Sequence, residues 1–546
     1  MENNMFCFQC QETAKGFGCT LKGVCGKNAT TARTMDLLLF VVRGISVVAD
    51  QLRQHSLPVE KEVDNFIVDA LFCTITNANF DDESITKRID KGLAIRDDLK
   101  HQASAKDIPL PEADELNWKG SHDEYDAKAA TVGVLREQNE DLRSLKELIM
   151  YGLKGMAAYL EHAMRLGHND ESIHRFMQNT IAQITTKSLS ADELTALALK
   201  TGEIGVRTMA LLDKANTSRY GNPEITHVNI GTGTRPGILI SGHDLHDLEE
   251  LLEQTKDSGV DVYTHGEMLP SHGYAGLKKY PHLIGNFGGA WQDQQKEFDN
   301  LPGCIIMTTN CLMRPRDSYK DRIYSTNVVG WEGVKHIEKK SDGEKDFSPV
   351  IRQALELGGF KEDIEPHNIL VGFGHEAVLS NAQSIVDAVK SGHIRHFFLI
   401  GGCDGARPGR NYYTEFAKLV PNDCIIMTLA CGKYRFNKLD FGEAAGIPRL
   451  LDIGQCNDAY SAVRIATALA DAFETDINGL PLSLIISWYE QKAVADLLAL
   501  LSLGFKNIYL GPTLPAFISP NVTDTFNLRL ISNAEDDIKT CLRQAV

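Results

Sequence analysis

Three short apolar runs, each closed by a cysteine, lie close together in the chain: FFLIGGC (397–403), CIIMTLAC (424–431) and RLLDIGQC (449–456). Runs of this length, bounded by Gly and polar residues, predict strands buried on both faces of a parallel sheet. Cys403, Cys431 and Cys456 then fall at or just beyond the C-terminal strand ends, the edge where open α/β sheets hold their ligands. The pattern extends outward. GILISGHD ends near His243, VDVYTHGE ends at Glu267, CIIMTTNC ends at Cys311, and LSLIISWYEQK runs into Glu490 and Lys492. Seven predicted strands thus bring four cysteines, one histidine and two carboxylates to what reads as one rim. Thiolates combined with imidazole and carboxylates suit a mixed iron–sulfur–oxygen centre better than a closed zinc site. A lone buried cysteine is ordinarily a small hydrophobe finishing a strand, but four of them at strand ends ask for another explanation. A thiol nucleophile at Cys403 with His243 as its base competes, and leaves the other rim residues without a role.

A second group opens the chain. In MFCFQCQETAKGFGCTLKGVCGK, Cys7, Cys10, Cys19 and Cys25 are separated by two, eight and five residues, with Gly16, Gly18 and Gly23 interleaved. Such a loop can wrap one iron–sulfur cluster with backbone amides facing the sulfurs. Tetrahedral zinc is the alternative, although zinc ribbons use two Cys-x-x-Cys pairs and only the first pair fits here.

The elements that must position these residues follow from the rest of the sequence. A chain of 546 residues has room for three or so domains of about 150 residues. Its composition, 43% hydrophobic and 8% aromatic, is that of an ordinary soluble protein. A net charge of −17 argues against nucleic acid or an anionic membrane as the main partner. MENNMFCFQC shows no charged region followed by an apolar core, so no export signal is expected. The longest apolar run, LLLFVVRGISVV, is broken by Arg43 and is too short to span a bilayer. Twelve cysteines in such a chain point to metal or redox chemistry in a reducing, low-oxygen cytoplasm rather than a disulfide frame.

From Thr31 to about Arg219, apolar residues recur at three- and four-residue spacing, which predicts a helical bundle. Asn139-Glu140-Asp141 predicts the start of one of its helices. The polar stretch His101–Asp126 reads as an excursion between two bundles, and Cys73 and His162 read as satisfied core or surface residues. Near Tyr220-Gly221-Asn222-Pro223 the texture changes to strand–helix alternation. The predicted fold class is therefore α plus α/β: a helical domain over residues 1–220, then two Rossmann-like α/β domains over 221–365 and 366–546 with mainly parallel sheets. CIIMT and a cysteine seven positions after the first recur at 304–312 and 424–432, which suggests similar α/β units. The second cysteine of each copy, nearer the ligand edge, is the candidate ligand, and Cys304 and Cys424 are packing residues. Gly231-Thr-Gly233 precedes a strand, so it fails the context of a dinucleotide loop.

FCFQCQETAKGFGCTLKGVCGK, ISGHDL, VYTHGEMLP, TTNCL, GGCDG, CGKYRFNKL, DIGQCND and SWYEQKAVA together closely resemble the hybrid cluster proteins, the prismane family of hydroxylamine reductases. The resemblance implies that Cys7, Cys10, Cys19 and Cys25 hold a [4Fe–4S] cubane. It implies a hybrid [4Fe–2O–2S] cluster on His243, Glu267, Cys311, Cys403, Cys431, Cys456 and Glu490, with Lys492 beside it and Cys403 as a persulfide. The hybrid cluster would lie where the three domains meet. Glu267, Glu490, His243 and Lys492 are the expected catalytic groups, the carboxylates by shifting coordination and His243 or Lys492 by supplying a proton. The expected partners are a small nitrogenous substrate and a redox electron donor, with the chain a monomer or weak homo-oligomer. Reduction of nitric oxide in nitrosative stress defence is the alternative activity, and a redox or nitric-oxide sensor is a further one. Nickel carbon monoxide dehydrogenase is a relative with similar α/β cores, but GGCDG and WYEQK argue against its nickel–iron centre.

Overall fold

The computed structural model describes residues 5–544 except 342, 406, 408 and 409. Six long helices make up the first part: α1 (Ala29–Gln54), α2 (Lys61–Cys73), α3 (Asp82–Ser104), α4 (Glu140–Arg165), α5 (Glu171–Thr186) and α6 (Ala191–Tyr220). Asn139 caps α4, its side chain accepting from the N–H groups of Asp141 and Leu142. The excursion expected over 101–126 is shorter, 105–121 with one helical turn at Asp114–Asn117: α3 runs on through His101 to Ser104, and a short helix begins at His122 behind a Ser121–Glu124 capping box. Among the described residues no helix is long and apolar enough to cross a membrane.

Two parallel six-stranded sheets follow. The first contains β1 (Gly237–Ser241), β2 (Asp261–His265), β3 (Leu283–Asn286), β4 (Cys304–Met307), β5 (Ile323–Thr326) and β6 (Lys335–Ile337), in the spatial order β3-β2-β1-β4-β5-β6. The second contains β7 (His396–Gly402), β8 (Cys424–Leu429), β9 (Leu450–Gly454), β10 (Leu482–Ser487), β11 (Ile508–Gly511) and β12 (Arg529–Leu530), ordered β9-β8-β7-β10-β11-β12. Both orders are the doubly wound one, reversing between β1 and β4 and between β7 and β10. The CIIMT copies do not occupy equivalent strands: one is β4, fourth in its sheet, and the other is β8, second in its sheet. They share a local requirement, a buried central strand that must release its last cysteine, rather than a place in the topology. An antiparallel pair, Thr226–Asn229 with Asn368–Val371, ties the segments before and after the first sheet.

The joint between helices and sheets is α9 (Gln491–Ser502), the helix that follows β10; α7 (Leu245–Thr255) and α8 (Ala459–Ala472) are its counterparts after β1 and β9. α9 lies in a groove between α4 and α6 so close that a Cβ at Gly155 would strike the Gln491 carbonyl and one at Gly202 the Leu498 carbonyl. Gly205, one turn on from Gly202, would meet only Ala495 O at 3.8 Å and Met156 at 3.9 Å. The two glycines therefore separate packing from propensity. Gly202→Ala is expected to cost ~3 kcal/mol by overpacking, lowering the thermal midpoint by several degrees and bound iron with it. Gly205→Ala is expected to be neutral or to gain up to ~1 kcal/mol from helix propensity. Equal midpoints for the two variants in calorimetry would show that α9 does not rest on this groove.

Candidate metal centres

Each predicted rim residue leaves its strand one to four residues past the C-terminal end: His243 after β1, Glu267 after β2, Cys311 after β4, Cys403 after β7, Cys431 after β8, Cys456 after β9 and Glu490 after β10. The exits carry unusual backbone. Cys311 has φ 98 and Ala430, just before Cys431, has φ 62, values that L residues adopt only under constraint. The constraint on Cys311 is visible: the N–H groups of Cys311 (3.1 Å) and Leu312 (2.9 Å) both donate to Asn77 O, and Gln294 Nε2 donates to Cys311 O (2.6 Å). Gly402 precedes Cys403 at φ 94, where a Cβ would strike Ser487 O.

The two sheets face each other at these edges. The donor atoms of His243, Glu267 and Cys456 all lie within 4.8 Å of one another. Cys403, Cys431 and Cys311 pack with Trp291 and Tyr489 in one buried cluster. Lys492 feels Cys456, Glu490, Cys311 and Cys403, so all eight predicted residues come together. Both carboxylates are held in one way. Glu267 Oε2 accepts the Cys456 N–H at 2.8 Å, and Glu490 Oε2 accepts the Lys492 N–H at 2.8 Å as the N-cap of α9. The other oxygen of each, and Lys492 Nζ, is buried with no hydrogen-bond partner among the described residues; the ammonium stands 3.7 Å from Glu490 Oε1.

Burial pushes the thiols of Cys311, Cys403, Cys431 and Cys456 upward, and neighbouring anionic groups add to the shift at each. It raises Glu490 as well, against the lowering effect of Lys492. Burial alone would lower Lys492, yet Cys456, Glu490, Cys311 and Cys403 carry it above an ordinary lysine. His243 is held far below its usual range by burial, then by Lys492 and His162, so the imidazole is neutral. Its Nδ1 is hydrogen-bonded to Thr309 Oγ1 (2.7 Å), and its Nε2 lies 3.9 Å from Glu267 Oε2. Four thiols, two half-tethered carboxylates and a neutral imidazole make a donor set that fits a multi-iron centre with sulfur and oxygen ligands.

The N-terminal cysteines also converge. Cys7 and Cys19 exchange backbone hydrogen bonds (3.1 and 2.8 Å), and the Ala14 N–H points at Cys19 Sγ at 3.5 Å, an amide facing a sulfur as expected. Cys10 is pushed well up by burial and by Cys25, Cys7 and Cys19, so the four sulfurs form one group, with buried Lys27 beside Cys7 and Cys25. This donor set fits a four-thiolate cluster.

Sequence reasoning missed the residues between the two groups. Tyr489 is one of them: its phenol is raised by burial, then by Cys10, Cys25, Glu12 and Cys311, so cysteines of both groups reach it. Its ring lies 4.3 Å from that of Trp291, its hydroxyl donates to Asn77 Oδ1 (3.0 Å), and its carbonyl accepts the Gln11 N–H (3.1 Å). Gln491 Nε2 donates to Gln9 O at 2.6 Å. The alternation in WYEQK was the available signal: Tyr489 and Gln491 meet the N-terminal loop, while Glu490 and Lys492 meet the rim. His162 is buried, as a core residue should be, yet its Nε2 has no hydrogen-bond partner among the described residues and its Nδ1 lies 3.8 Å from Asp244. Cys73 is fully buried, as expected of a core residue, and so are Cys304 and Cys424, in apolar clusters at the starts of β4 and β8. A second group of metal-type side chains, His246, Asp247 and Glu250, is already met by the Lys345 ammonium.

Asp496 of α9 lies behind the rim. Burial and then Glu490 raise it to about 8, against the Tyr159 hydrogen bond and Lys492. The Tyr159 hydroxyl donates to Asp496 Oδ1 (2.8 Å) and also lies 3.3 Å from Cys456 O. An unfolded aspartate titrates near ~4, so the folded chain keeps an extra proton between these values and loses stability as pH rises through them. Asp496→Asn is expected to flatten the fall of the thermal midpoint between about pH 4 and about pH 8. Parallel curves for variant and parent would show that Asp496 is already ionised in the folded chain.

The chain matches the Prismane/CO dehydrogenase family over residues 5–541. It is 55% identical over 544 residues to a hydroxylamine reductase of Desulfitobacterium hafniense (strain DSM 10664 / DCB-2), covering 98% of this chain and 99% of that one. It is 53% identical over 567 residues to a hydroxylamine reductase of Clostridium botulinum (strain 657 / Type Ba4), with the same coverage. Among solved structures, a nickel-free carbon monoxide dehydrogenase from Thermococcus sp. AM4 shares the fold, with a TM-score of 0.55 at 18% identity over 98% of this chain and 90% of that one. With its two doubly wound sheets, its rim of thiols and carboxylates and a match along nearly its whole length, the chain belongs to the Prismane/CO dehydrogenase family.

Proposed function

We propose that this chain is an iron–sulfur oxidoreductase that reduces hydroxylamine: NH2OH + 2 e⁻ + 2 H⁺ → NH3 + H2O. The observation that carries this reading is the buried rim, where six acidic donors and a neutral imidazole meet around a single lysine. The relatives named hydroxylamine reductase, matched along nearly the whole chain, support it. Cys7, Cys10, Cys19 and Cys25 would hold a [4Fe–4S] cluster. His243, Glu267, Cys311, Cys403, Cys431, Cys456 and Glu490 would hold a hybrid [4Fe–2O–2S] cluster, Cys403 as a persulfide. When bound, these groups supply electrons and a Lewis-acidic iron. The chain supplies the rest. Glu267 and Glu490 keep one oxygen on a backbone N–H, which leaves the other oxygen of each as the one able to move. The Lys492 ammonium stands beside Glu490, placed to give a proton to the departing oxygen. Tyr489–Lys492 joins the two cysteine groups and would give electrons a route between them.

A second reading, 2 NO + 2 e⁻ + 2 H⁺ → N2O + H2O, is favoured by one feature. A cavity lined by Met209, Met427, Leu484, Ala493 and Leu497 reaches Gly402 and Ser487 beside Cys403, and its walls are largely apolar. Such walls suit an uncharged diatomic gas at least as well as hydroxylamine.

Protein purified without oxygen is expected to carry about eight irons per chain, with fewer acid-labile sulfides than irons. It is also expected to reduce hydroxylamine with a viologen donor. Glu490→Gln should keep the fold and its iron while turnover falls at least tenfold; full turnover would rule out a moving Glu490. About four irons, or zinc in their place, would overturn the two-cluster reading.

A further inference from the structure

The three most exposed large apolar side chains among the described residues are Leu21 (76%), Phe17 (69%) and Val24 (55%), and all three lie in one eight-residue stretch. That stretch carries Cys19 and leads directly into Cys25. Phe17 and Leu21 flank Cys19 at two residues' distance, and Val24 directly precedes Cys25, so each Cα lies within about 8 Å of a cysteine Cα. Phe17 is not loosely placed: its ring packs edge-on against Phe6 at 5.9 Å. Single exposed hydrophobes are common on any protein, but a gathering of the most exposed ones marks a contact surface.

The charge carried by this segment is opposite in sign to that of the whole chain. Between residues 5 and 30 the basic residues are Lys15, Lys22 and Lys27, and the acidic one is Glu12. Lys15 and Lys22 are exposed. Glu12 is buried against Arg407 (3.3 Å) and Arg410 (2.8 Å), so it presents no negative charge there, and Arg407 is itself exposed. In a chain of net charge −17, the N-terminal cysteine loop thus combines exposed apolar side chains with the exposed cations Lys15 and Lys22.

We propose that this spot is the docking surface for a small acidic electron-carrier protein, which delivers electrons to the centre held by Cys7, Cys10, Cys19 and Cys25. This rests on the reading of those cysteines as an iron–sulfur site. Transient redox complexes use small interfaces, formed quickly through opposite charges and released quickly. A few apolar side chains at the centre with lysines at the edge meet that need, and their closeness to the cysteines keeps the transfer distance short.

The test is anaerobic stopped-flow reduction of the holoenzyme by a reduced acidic ferredoxin, with reduced methyl viologen in parallel. Ferredoxin-driven reduction should slow as salt is raised. Lys15→Glu with Lys22→Glu should lower its kcat/KM about tenfold and flatten the salt dependence. Leu21→Ser should weaken it about fivefold without changing the salt slope. Viologen-driven reduction should stay within about twofold of the parent in both variants. Unchanged ferredoxin rates in both variants would overturn the proposal. So would a patch that instead joins two copies of the chain, seen as a dimer lost in Leu21→Ser by sedimentation, or one that binds phosphatidylserine vesicles. Iron content and viologen-driven turnover of the parent check the underlying reading separately: a chain without iron refutes that reading, whereas an active iron-loaded chain indifferent to these changes refutes only the docking surface.

Discussion

Charge compensation is the constraint on which the rest of this structure depends. Four thiols and two carboxylates are drawn out of water at the facing edges of two sheets, with Lys492 among them. Anions buried this way are tolerated only when neutralised, either by keeping their protons or by binding cations. The raised thiols and the raised Glu490 describe the first solution, and iron would supply the second by displacing those protons. The oxygens left without partners mark where the second solution would act. Glu267 and Glu490 each commit one oxygen to a backbone N–H and leave the other open, a geometry of little use to a purely structural carboxylate.

Holding such a site together needs rigid elements on every side. α9 carries Glu490 as its N-cap and Lys492 in its first turn, and its position is set by contact with backbone rather than by flexible side chains, at Gly155 and Gly202. Because α4 and α6 belong to the helical part and α9 follows the central strand β10, that contact transmits the helical layer's position to the rim. Asn77, in the loop after α2, does the same on the other side, with its carbonyl on Cys311 and Leu312 and its side chain on Tyr489 and Leu312. The backbone strain at Cys311 is maintained by the Asn77 contacts, as expected where a site dictates geometry.

The two cysteine groups are bound to each other by the same residues. Tyr489 and Gln491 hold Gln11 and Gln9 of the N-terminal loop, while their sequence neighbours Glu490 and Lys492 line the rim. A displacement at one group is therefore felt at the other through the segment Tyr489–Lys492. In an electron-transfer protein this keeps the separation of donor and acceptor constant.

Much of this was legible before any coordinates. The seven rim residues could be found because buried parallel strands read as continuous apolar runs and their C-terminal ends are where α/β sheets bind ligands; both rules are local. The helical stretch and the start of α4 at Asn139 were legible for the same reason, since periodicity and capping depend on neighbours in sequence. The resemblance to the prismane family added the roles. Three things were decided only by tertiary structure. The CIIMT copies looked like equivalent units, but strand order depends on pairing across the sheet, which five matching residues do not encode. The roles of Asn77, Trp291, Tyr489 and Asp496 depend on which elements meet, and each is an unremarkable residue in its own segment. The glycines at 155 and 202 look like weak points in two helices, and only the approach of α9's backbone shows why a side chain cannot stand there. Sequence patterns record what each segment needs for itself; the partners that satisfy those needs are chosen by packing.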